Sequence, residues 1–370
     1  MSVKSQFIGN REINPYEVLS EVEILEMLEL IKPSKLNRGD TIAIISPSWG
    51  CAGSNSVKWK YMLGVERLNK LGLNVIAAPN ALKGTTYLRE NPQARAEDVM
   101  WAFENKDIKA VIANIGGNDL FRILPFILPN SIADNPKILC GYSDVMTLHL
   151  FCYKMGLSTF YGDNLITSIA DGEKWHEYSK YWFEKVFMSN SIIGEIAPSK
   201  DWTNDVCKHT KKDYFRKYVN NTGYMKIQGE GKVTGRLFGG HMGLMELDRD
   251  GIISLNLEDF KDKILFFEEI PQFTTLDCIN EFFEWLGEKG YLKVLKGIVI
   301  GKIVENEAFV PLAEAIRQIV SNKYCLPIMP IMYGVNVGHS SPTCILPYGA
   351  KAELDIENMK FSILESGVIC

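Results

Sequence analysis

The chain has 370 residues, of which 46% are hydrophobic, 23% charged and 11% aromatic. That composition supports sizeable cores and, at ~150 residues per domain, about two of them. Lysine and arginine total 40 against 45 acidic residues, a net charge of -5, which argues against bulk-charge binding of nucleic acid or anionic lipid. No apolar run approaches the ~18 residues of a membrane span, and residues 1–14 lack the layout of a signal peptide, so a cytoplasmic protein with no nucleic-acid or membrane partner is expected.

Residues 14–31 are expected to form an amphipathic helix. Asn14 can cap it, Pro15 suits the first helical position and Glu17 completes a capping box. Leu19, Val22, Leu25 and Leu28 recur at three-residue steps, and glutamates interrupt the rest. Such a helix suits a docking arm on the body or on a second subunit. From Gly39 onward, short apolar runs alternate with helical patterns. Strands are predicted over 41–45, 73–78, 110–115 and 137–141, with helices over 57–71, 94–104 and 145–155. That alternation predicts a parallel sheet covered on both faces, with ligands gathering at the carboxyl ends of its strands. Residues 190–230 are polar and aromatic-rich and read as a linker or insertion. Beyond Gly231, strands over 232–237, 263–267 and 297–303 mix with one clear helix over 276–286, as in a second, α+β domain. The expected division is an N-terminal extension (1–35), an α/β domain (36–189), the insertion (190–230) and a C-terminal domain (231–370).

The five histidines, His149, His176, His209, His241 and His339, are too far apart for the short-range pairs of common zinc sites. The eight cysteines include no C-x-x-C pair and are expected to be reduced. Neither a G-x-x-x-x-G-K-[ST] nor a G-x-G-x-x-G motif follows a strand, so no metal and no cofactor is expected.

Chemistry concentrates in Ile138-Leu139-Cys140-Gly141-Tyr142-Ser143-Asp144, where a buried strand runs into Gly-x-Ser-Asp and then a helix. A serine on such a turn is exposed above the helix N-terminus, and the N–H of Asp144 would face an oxyanion formed there. The commoner role of such a serine is to cap the helix. Gly116-Gly117, after another strand, allows close backbone approach to a ligand. A serine nucleophile needs a base, and the base an orienting acid. His149 shares the helix that follows Ser143 and reads as structural, while His176 and His209 lie in surface-like sequence. His339, in a Gly- and Ser-flanked loop, is the first candidate and His241 the second. Glu268-Glu269 ends an apolar strand and offers two acids, with a solvated strand end as the plain alternative.

Taken together, Gly116-Gly117, NPKILCGYSDVMTLHLFCYKMGLSTFYGDNL, GRLFGGHMGLMELD, ILFFEEIP and GHSSPTCILPYGAKAELD resemble, in order and over about residues 40–355, the LD-carboxypeptidase and microcin C immunity family of serine peptidases. The resemblance implies a flavodoxin-like parallel-sheet N-terminal domain carrying Ser143 as nucleophile. A smaller α+β domain would supply Glu268 as acid and His339 as base, so that the active site lies between domains, within a homodimer. Glu269 stays as the alternative acid, and the N–H groups of Gly117 and Asp144 would form the oxyanion hole. The loop 116–122 departs from the Gly-Tyr-Gly type of muropeptide-cleaving members. Phe160-Tyr161-Gly162 and the insertion with Asp201-Trp202 look more like the microcin C immunity branch. The resemblance thus implies a cytoplasmic serine carboxypeptidase acting on a small peptide or peptidyl nucleotide. Gly116 and Trp202 would contact the substrate, Trp202 stacking on the nucleotide part unless it is a packing tryptophan. Release of D-alanine from a murein tetrapeptide is the alternative within the class, and a non-catalytic ligand-binding α/β protein the alternative outside it.

Overall fold

The computed structural model describes residues 29–370 and, ahead of them, the backbone of two short paired strands, Phe7–Ile8 and Arg11–Glu12. The helix expected over 14–31 falls mostly outside the described residues. At its far end Ile31 is extended, in a parallel bridge to Leu157.

The first sheet is built from β1 (Thr41–Ile45), β2 (Asn74–Ala77), β3 (Ile108–Ala113), β4 (Ile138–Gly141) and β5 (Phe160–Tyr161), all parallel and in the order 2-1-3-4-5. This is the flavodoxin-like order, and it reverses between β1 and β3, where ligands collect outside the carboxyl ends. Ile42, Ala43, Ile44 and Ile45 are all fully buried, as a strand covered on both faces requires. The helices α1 (Lys58–Lys70), α2 (Pro92–Glu104) and α3 (Met146–Lys154) return the chain between strands. The sixth strand comes from far along the chain: Leu346–Pro347 pairs antiparallel with β5, Leu346 opposite Tyr161.

The second sheet has eight strands. Its centre is parallel: β6 (Lys232–His241), β7 (Lys263–Glu268), β8 (Gly297–Gly301) and β9 (Ile331–Val335) lie side by side in chain order. Segment 190–230 holds more structure than a linker. Gly194–Glu195 and Met225–Gln228 form the two edges of this sheet, and Asp201–Trp202 pairs with Val219–Asn220 as a hairpin between them. Several helices carried no expectation, the longest of them Glu177–Phe187 and Phe309–Arg317. The first buries Trp182, Phe183, Val186 and Phe187, so its apolar face is made of residue types that favour strands by propensity, and packing decides its state.

The carboxyl ends of the central strands of both sheets bring their side chains together. β1, β3 and β4 deliver Ser48, Gly116-Gly117 and Ser143, while β6, β7 and β9 deliver His241, Glu268 and the loop with His339.

Candidate active site

β4 ends at Gly141, Tyr142 is extended, and Ser143 then takes φ 64°, the left-handed region that a residue with a Cβ occupies at a cost. A short 3-10 turn, Ser143–Val145, leads into α3. The turn lifts the Ser143 hydroxyl above the sheet edge, and the Ser143 side chain makes no cap bond to the helix. His149, fully buried in α3, braces the strand end. Its Nε2 meets the Gly141 carbonyl at 2.9 Å, which can only accept, so this nitrogen carries the proton. Burial lowers the His149 pKa to about 4 and keeps the ring neutral.

His339 reaches this turn from the other sheet. Its Nε2 lies 3.1 Å from Ser143 Oγ and its Nδ1 2.8 Å from Glu268 Oε2, which also accepts the His339 backbone N–H at 3.0 Å. Tyr142 holds the imidazole edge-on at 5.0 Å between ring centroids. Glu268 is 0% exposed. Burial alone would raise its pKa, but the charge and hydrogen bond of His339, with further help from His241 and Tyr161, hold it near 2. Gly338, at φ 92°, lets the loop pass, since any Cβ there would collide with the Glu268 carboxylate. Of the two adjacent acids, Glu268 meets His339, whereas Glu269 turns to His241 Nε2 at 2.8 Å.

The Gly116-Gly117 loop closes over the serine. A Cβ on Gly116 would lie 2.9 Å from Ser143 Cβ and 3.1 Å from its Oγ. The Asp144 carboxylate ties this loop down by accepting the N–H groups of Asp119 and Leu120, both at 3.0 Å, and the Ser48 hydroxyl at 2.5 Å. Asp119 in turn is held by fully buried Arg95, which also donates to the carbonyls of Pro47 and Ser48. Neither the Gly117 nor the Asp144 N–H donates to another group among the described residues. Gly116→Ala is expected to fold normally and to lower kcat by about 100-fold, because an added methyl displaces the loop by a fraction of an ångström at the reacting centre. Steady-state kinetics beside a melting curve checks this.

The remaining sequence candidates fall elsewhere. His176 caps a helix and bonds Asp201, and His209 sits edge-on to Trp49 at 5.9 Å. Trp202, expected to stack on a ligand, is 1% exposed, with the Lys302 ammonium 4.2 Å from its ring centroid. Its faces are spent on hairpin packing, so as placed it offers no platform. His241, Glu268 and His339 bring potential metal-ligand atoms within 4.8 Å of one another, yet each is engaged with protein partners, His241 by Glu269 and the Gly243 N–H. Sequence reasoning missed two neighbours. Tyr161 hydrogen-bonds Glu268 and Ser143, and Trp49, 41% exposed, follows Ser48 in the loop whose N–H binds the Gly116 carbonyl. An aromatic in a Ser-Pro-Ser-Trp-Gly strand exit was a signal for the second; nothing local marked the first.

Comparison with known proteins places the chain in a family. Residues 42–162 match the LD-carboxypeptidase N-terminal domain and residues 234–354 the LD-carboxypeptidase C-terminal domain. The chain belongs to the LD-carboxypeptidase family. It is thereby a serine-type carboxypeptidase, a hydrolase. A Treponema pallidum protein named for carboxypeptidase activity is 27% identical over 329 residues, covering 88% of this chain and 93% of the relative. The microcin C7 self-immunity protein of Escherichia coli is 28% identical over 341 residues, covering 88% and 94%. The crystal structure of an MccF-like protein from Streptococcus pneumoniae in complex with AMP superposes with a TM-score of 0.78 at 30% identity, covering 88% of this chain and 98% of that one. The microcin C7 self-immunity protein has also been solved in complex with aspartyl sulfamoyl adenosine, and at 24% identity that likeness speaks for the fold alone.

Proposed function

We propose that this carboxypeptidase works through Ser143 as nucleophile, His339 as general base and then acid, and Glu268 as the carboxylate that orients and stabilises the imidazolium. The observation that carries this is the unbroken run of hydrogen bonds from Ser143 Oγ through both ring nitrogens of His339 to Glu268. Ser143 Oγ adds to the carbonyl carbon of the scissile bond while His339 Nε2 takes its proton. The proton passes to the leaving nitrogen as the acyl-enzyme forms, and water deprotonated by the same Nε2 releases the acyl group. The unspent N–H groups of Gly117 and Asp144 receive the oxyanion, a contribution of ~3 kcal/mol per donor in comparable sites. Gly116 brings that loop against the substrate carbonyl.

In this reading the substrate is a microcin C-like peptidyl or aminoacyl nucleotide. The kinship with the microcin C7 self-immunity protein supports it, as do the AMP bound by the Streptococcus pneumoniae relative and the exposed Trp49 beside the Gly116 loop. Trp202 takes part only if its hairpin moves. A homodimer acting in the cytoplasm belongs to the same proposal; no helix of the described residues is long and apolar enough to cross a membrane. The purified protein is expected to release aspartate from aspartyl sulfamoyl adenosine. D-alanine release from a murein tetrapeptide, with the sulfamoyl compound left intact, assigns it instead to the muropeptide branch. Binding without hydrolysis of either leaves a ligand-binding protein.

A further inference from the structure

Tyr161 closes β5 and is fully buried. Its hydroxyl donates to Glu268 Oε1 at 2.5 Å and accepts the Ser143 N–H at 3.0 Å. A phenol has a single proton to give, so its direction is settled by its partners: an amide that can only donate on one side, a carboxylate that can only accept on the other. Burial and the neighbouring Glu268 charge push the Tyr161 pKa far above its ordinary value, which keeps that proton in place.

We propose that Tyr161 is a positioning residue for hydrolysis, a hydroxyl bridge that ties the acid of the second domain to the backbone of the nucleophile turn in the first. This rests on the triad reading above. Glu268 is sealed from solvent, and its other oxygen is filled by the two His339 N–H groups. Without Tyr161, Oε1 would be a buried carboxylate oxygen lacking a donor. On the opposite side, the Ser143 N–H belongs to a residue held at positive φ, and Tyr161 supplies the tertiary partner that fixes this peptide. One side chain thus sets the distance between acid and nucleophile, with the imidazole spanning the gap. It also tempers the acid, because a carboxylate that receives a strong hydrogen bond concentrates less charge toward His339. The titratable groups facing Glu268 are His339, His241, Tyr161, Tyr142 and Tyr348, from the loop after β9, the end of β6, β5, the exit of β4 and the segment after Leu346–Pro347.

The test uses the full chain and whichever substrate the wild type hydrolyses. Tyr161→Phe is expected to lower kcat by about 10- to 100-fold while KM stays within about twofold, and to move the acidic limb of the kcat–pH profile to higher pH. Placing 3-fluorotyrosine at 161 keeps the ring and strengthens donation, so it is expected to move the limb to lower pH; this variant carries the test if Tyr161→Phe does not fold. An acidic limb that stays put in both variants, with only the melting temperature changed, assigns Tyr161 to packing and overturns the proposal. A wild type that turns over no substrate overturns the triad reading itself.

Discussion

Glycine in place of Ser143 is expected to give a protein that no longer hydrolyses substrate yet melts higher than its alanine counterpart. Both substitutions remove the hydroxyl proposed as nucleophile, and kcat falls by at least about 10⁴-fold in comparable triads. They differ in the backbone. At φ 64° a Cβ crowds the following carbonyl, which costs roughly 1–2 kcal/mol, and alanine retains that crowding. Glycine removes it and gives back about 0.5–1 kcal/mol through its larger unfolded-state entropy. The net gain of up to about 1.5 kcal/mol raises Tm by up to roughly 2 °C in a protein of this size. Scanning calorimetry of S143G against S143A decides the matter, and a lower melting point for the glycine variant means that the turn holds no such strain.

Glu268→Gln preserves shape and removes charge. Its amide must present N–H₂ either to His339, which then loses its orienting acceptor, or to Tyr161, which then loses its own, and in both orientations the charge that would stabilise the imidazolium is gone. A fall in kcat of about 10³- to 10⁴-fold is expected. The same substitution has a signature in stability. The Glu268 pKa is held near 2 in the folded protein against an ordinary 4.5. A depressed folded pKa stabilises the protein above the unfolded value, and this stabilisation disappears as pH falls from 4.5 toward 2. About 3 kcal/mol is at stake by the usual conversion. Urea titrations across that window are expected to show wild type losing stability more steeply than E268Q. Equal slopes mean that Glu268 is no better solvated by its partners in the fold than in the unfolded chain.

The parallel sheet was legible because its strands are short apolar runs closed by Gly or Ser, and Ser143 because a strand, a Gly-x-Ser-Asp turn and a helix are consecutive in sequence. The choice of Glu268 over Glu269 rested on the resemblance and was not legible from spacing. Neighbours on a strand point to opposite faces, so one meets His339 and the other His241, but the phase is set by a loop 71 residues away. Tyr161 escaped for the same reason: its strand is two residues long and its partner lies 107 positions further on. Trp202 came from the likeness of its insertion to the microcin C immunity branch, with a packing tryptophan as the alternative, and the sequence could not show that the hairpin with Val219–Asn220 and the Lys302 side chain cover it. The longest helices passed over, Glu177–Phe187 and Phe309–Arg317, are short segments whose state is decided by the surfaces they cover.

The strand Leu346–Pro347, which returns from near the C-terminus to complete the first sheet beside Tyr161, has a consequence for synthesis on the ribosome. The serine turn emerges 196 residues before His339, and the sheet that carries it still lacks its outermost strand. At 5–20 residues per second that interval lasts roughly 10–40 s. Throughout it the nascent chain carries its serine without the base proposed for it, and in that mechanism hydrolytic power arrives only after His339 has been made.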